Sequence, residues 1–204
     1  MREILHPYIA DGAYQQILSH YHFQQRDENK IHILTQQLLQ VIDAAVYYAD
    51  DYLQKSRLAV LVTLGAGVDA LQEEYTAAGQ LTESYMIECI AMELLKNAYE
   101  QAADLIYSHY GCWMDGFDFL GENVPIESMK ELFAILEPEE ISYNQAYMIT
   151  PKKTAAFYTT LTDSRKRAYC NLCDMCSHTK CVHRKGNLTY GYQRIFGEHG
   201  MGGK

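Results

Sequence analysis

Apolar positions along the chain switch between two periods. From Ile31 they recur near helical spacing through Leu34, Leu38, Leu39, Ile42 and Ala45. This predicts an amphipathic helix, whose end is blurred by a Val46-Tyr47-Tyr48 triplet with strand character. Residues 58–64, LAVLVTL, form a short, almost unbroken apolar run with β-branched members, closed by Gly65. That combination predicts a buried strand. A helix is expected next, through Leu71 and Tyr75 to a break at Gly79. The strongest period follows: Ile87, Ile90, Ala91, Leu94, Leu95, Ala98, Ala102, Leu105 and Ile106 share one stripe, with Thr82 as expected N-cap and Gly111 as C′ stop. Cys89 falls inside this helix and reads as a buried structural thiol.

Beyond Gly111 the period is lost. Residues 111–125 hold three glycines and one proline among Trp113, Phe117 and Phe119, and read as irregular. A second amphipathic helix is expected over 126–136, then two strands, ISYNQAYMIT and TAAFYTTLT, around Pro151. The mixture predicts an α+β fold: a single domain with long helices against a modest sheet. The expected division is 1–165 for the α+β domain and 166–204 for a Cys-rich, metal-binding segment with a glycine-rich tail.

Charge sharpens that division. The whole chain carries a net charge of -9, yet residues 151–204 hold 10 basic and 3 acidic side chains, against 7 and 23 in residues 1–150. An acidic body disfavours wholesale nucleic-acid binding, while a basic tail suits an acidic partner or simply solvates one face. No basic-then-apolar leader opens the chain and no apolar run approaches the ~20 residues of a membrane span, so a cytoplasmic, membrane-free location is expected.

In such a reducing compartment, clustered cysteines are metal ligands or redox groups sooner than disulfides. Cys170, Cys173, Cys176 and Cys181 follow C-x2-C-x2-C-x4-C. Zinc sites usually split their ligands into two separated pairs. Three thiols at three-residue intervals suit a loop around an iron–sulfur cluster. Zinc, with His178 or His183 as substitute ligands, and no metal at all stay open beside it. A second candidate is Gly65-Ala66-Gly67-Val68-Asp69-Ala70, which fits G-x-G-x-x-A after a predicted strand. The parallel strand–helix repeat that a dinucleotide fold needs is missing, so a plain glycine turn is the better reading. A third is aromatic: Trp113, Phe117 and Tyr147 could line a pocket for a flat or cationic ligand, or simply pack. No Ser–His–Asp set or carboxylate pair stands out.

Taken together, several segments resemble the activation domain of vitamin B12-dependent methionine synthase. They are Thr63-Leu64-Gly65 after its apolar strand, the long helix behind it, Tyr147-Met148 with Pro151 and Thr154, and Cys181-Val182-His183-Arg184 closing the cysteine run. The resemblance spans roughly residues 30 to 185. It implies a twisted antiparallel sheet flanked by helices. It also implies that the protein assists the reductive, S-adenosylmethionine-dependent remethylation of a corrinoid methyltransferase lacking its own activation domain. The cobalamin would be carried by that partner, and a flavodoxin or ferredoxin would donate electrons. Gly116, Phe117 and Tyr147, with Cys112 and Trp113, are the adenosyl-pocket residues this implies. The family motif R-x-x-x-G-Y reads here Cys112-Trp113-Met114-Asp115-Gly116-Phe117. A neutral thiol makes no bidentate pair with a carboxylate, a loss worth ~2–5 kcal/mol when buried. Lys152 or Lys153 are the nearby cations that could substitute. Two alternatives follow: an iron–sulfur docking or electron-delivery partner of a corrinoid protein that binds no S-adenosylmethionine, and a zinc-binding interaction module that touches nucleic acid through the basic runs 165–167 and 183–185.

Overall fold

The structure is a computed structural model; it describes residues 1–51, 57–122 and 124–163. Five antiparallel strands form one sheet in the order β1-β2-β3-β7-β4, comprising β1 (Arg2–Ile4), β2 (Ala45–Asp50), β3 (Arg57–Thr63), β7 (Thr154–Thr162) and β4 (Trp113–Phe119). The helices are α1 (Tyr14–His20), α2 (Glu28–Val41), α3 (Gly67–Ala77), α4 (Leu81–Tyr110) and α5 (Met129–Leu136). A separate hairpin pairs β5 (Ser142–Tyr143) with β6 (Ile149–Thr150). The expected single α+β domain with a helix-flanked antiparallel sheet is the architecture found.

β3 is apolar at almost every position because both of its faces are covered. Leu58, Val60 and Val62 meet the core under α4, together with Val46 and Tyr48 of β2 and Phe157 of β7. The alternating residues Ala59 and Leu61, with Tyr47, Ala156 and Tyr158, meet Met129, Leu132 and Leu136 of α5. Each large apolar side chain buried this way contributes ~1.5–3 kcal/mol. The two-sided cover removes the alternation that marks a half-exposed strand.

α4 has 30 residues and a mid-section buried on several sides. The polar side chains there hold the N-terminal segment. Glu93 accepts hydrogen bonds from the Tyr21 hydroxyl at 2.7 Å and Lys96 Nζ at 2.6 Å. Asn97 Oδ1 accepts from the Tyr8 amide at 3.0 Å, and the Gln101 carboxamide both accepts from and donates to the His6 backbone at 2.8 Å. Buried polar groups are tolerated when paired in this way.

Four sequence expectations change. α2 ends at Val41, so Ile42 lies beyond the helix and Ala45 opens β2. α4 begins at Leu81 after Gln80, so Thr82 lies inside the helix instead of capping it; Gly111 does end it, at φ 68°. The stretch expected to be one strand, ISYNQAYMIT, is the β5–β6 hairpin. Its loop closes on Asn144, whose Oδ1 accepts from the Ala146 and Met148 amides at 2.9 and 3.1 Å. The supposedly irregular segment after Gly111 contains β4.

Candidate functional site

β4 and the residue before it hold four of the five predicted pocket residues. It pairs only with β7 among the described strands, from Trp113↔Thr162 to Phe119↔Phe157, with a register shift between Asp115 and Asp118. There Gly116 and Phe117 oppose one residue of β7, the geometry of a β-bulge. The extra residue shifts the strand's phase, so Met114 and Phe117 both enter the α4-side core. The Phe117 ring is 4% exposed and sits 4.9 Å from Phe157 and 6.3 Å from Tyr99. Trp113 stacks on Tyr107 at 3.8 Å and 18°.

Cys112 sits where the chain leaves Gly111 for β4, and its thiol donates to Asp163 Oδ1 at 3.5 Å. Desolvation and the neighbouring Asp163 carboxylate hold this thiol above its ordinary range. It is therefore neutral at pH 7 and offers no positive charge to a carboxylate ligand. Neither lysine compensates. Lys153 is buried in an ion pair with Glu88, and Lys152 lies 3.8 Å from Glu73 of α3. Both precede the start of β7, whereas Cys112 lies beside its end; eight residue steps of strand put ~27 Å between those points.

Tyr147 belongs to the other side of the sheet. It has φ 60° and stacks on Tyr143 at 6.0 Å, among the residues packed on the α5-side core. The structure thus brings Cys112, Trp113, Gly116 and Phe117 together and keeps Tyr147 apart from them.

A cleft of about 210 Å³ lies at the far end of the sheet, between Gly65-Ala66-Gly67, Arg2, Asp43, Tyr47 and the Glu139–Glu140 loop. Arg2 Nε donates to the Tyr47 hydroxyl at 3.1 Å, and its Nη2 lies 3.5 Å from both Asp43 oxygens. Packing explains the glycines of this G-x-G motif. A Cβ on Gly67 would lie 2.0 Å from the Val41 carbonyl oxygen, and Gly65 has φ 82° with the Asp43 backbone 2.9 Å from where its Cβ would be. Three carboxylates against one guanidinium repel a pyrophosphate. The glycine-turn reading therefore accounts for the motif. Sequence reasoning missed the cleft because its walls come from several distant segments.

Cys170, Cys173, Cys176 and Cys181 lie outside the described residues, as does the 166–204 segment. Among the described residues no three His, Cys, Asp or Glu side chains converge as a ligand set for a metal ion. Cys89 is buried in α4, where desolvation pushes its thiol up to about 11. No described helix is long and apolar enough to cross a membrane.

No family model matches the chain, and no curated protein matches it. Among solved structures, it is similar to the crystal structure of the MetH reactivation domain bound to AdoHcy. The TM-score is 0.57 and the identity 12%, over 86% of this chain and 82% of that one. At this identity the likeness establishes a shared fold.

Proposed function

We propose that the protein is an accessory factor for reactivating a corrinoid methyltransferase, by analogy with the reactivation domain whose fold it shares. The carrying observation is that likeness over 86% of the chain. The segments that resemble the family lie at junctions of this fold: Thr63-Leu64-Gly65 where β3 leads to α3, and Pro151 with Thr154 at the start of β7. Such a body works by positioning, holding a methyl donor and a corrinoid in line and excluding water. S-adenosylmethionine, where bound, supplies the methyl group that captures the reduced cobalt.

The β4 residues do not supply the expected contact for the amino-acid end of that ligand. Cys112 is a neutral thiol bonded to Asp163, and Phe117 is turned into the core. This favours a second reading within the same role: a docking or electron-delivery partner that does not bind the methyl donor itself, with the four-cysteine run as its redox centre. Clusters held by such runs span a wide range of potentials. Isothermal titration with S-adenosylmethionine and with AdoHcy separates the two. Saturable heat supports the first reading, and no heat at millimolar ligand removes it. Iron and sulfide content of anaerobically purified protein tests the second, with zinc as the outcome that overturns it.

A further inference from the structure

We draw no further inference here: the strongest candidate, the cleft between Arg2, Asp43, Tyr47 and the Glu139–Glu140 loop, carries nothing, because its arginine is already held by Tyr47 and Asp43 and, among the described residues, no unpartnered buried side chain lines it to indicate what its carboxylates would hold.

Discussion

Cys112 stands where the family motif that the sequence resembles has arginine, so the proposed ligand pocket turns on this side chain first. Its thiol is kept protonated partly by Asp163, so removing that carboxylate lowers the thiol's pKa. Asp163→Asn should therefore speed alkylation of Cys112 at pH 8, followed by peptide-resolved mass spectrometry, whereas Cys89 should stay unreactive until the protein unfolds. Cys112→Arg alone would place the guanidinium against Asp163. Gain of S-adenosylmethionine binding should thus need the double change Cys112→Arg with Asp163→Asn, and then reach roughly tenfold or more, in line with a charge-assisted pair. Gly67 sets a different limit. The Val41 oxygen lies 2.0 Å from where a Cβ would stand, so Gly67→Ala should cost ~1–3 kcal/mol by overpacking, read as a drop in thermal midpoint. The sequence marks this glycine as part of a turn between strand and helix; the close approach of Val41 is a property of the fold.

Elements differ in how openly they announce themselves. α4 is legible because nine apolar residues keep one stripe through it, and β3 because its run is apolar and stops at a glycine. β4 is hidden. Gly111 and Gly116 look like loop residues, and the bulge shifts the alternation that would otherwise mark a strand. The β5–β6 hairpin is hidden for the opposite reason: strand-like residues flank Asn144, whose carboxamide turns the chain. The polar stripe of α4 is visible as residues but not as contacts, since its partners Tyr21, Tyr8 and His6 come from a segment with no period of its own. Its energetic weight is testable. Glu93→Ala leaves Lys96 charged and buried without its partner, a change that costs ~3–5 kcal/mol. Denaturant unfolding should show that loss, while Glu93→Ala with Lys96→Met should recover most of it.

Across the whole molecule, strand order separates what sequence reading predicts from what folding assembles. β7 inserts between β3 and β4. This carries Tyr147 and the two lysines to one end of the sheet and Cys112 to the other, so residues that look like one pocket in a motif are split. The acidic body and basic tail, by contrast, are plain in the sequence. Fold likeness to a reactivation domain and a four-thiol run are what the proposed role, a partner protein acting on another molecule's cobalt, rests on. The decisive observation is the visible spectrum of a cobalamin-dependent methionine synthase lacking its own activation domain. The enzyme would be trapped with cob(II)alamin under a reductant and S-adenosylmethionine, with and without this protein. The expected result is decay of the cob(II) spectrum to that of methylcobalamin only when the protein is present; an identical, unchanging spectrum in both samples would contradict the account.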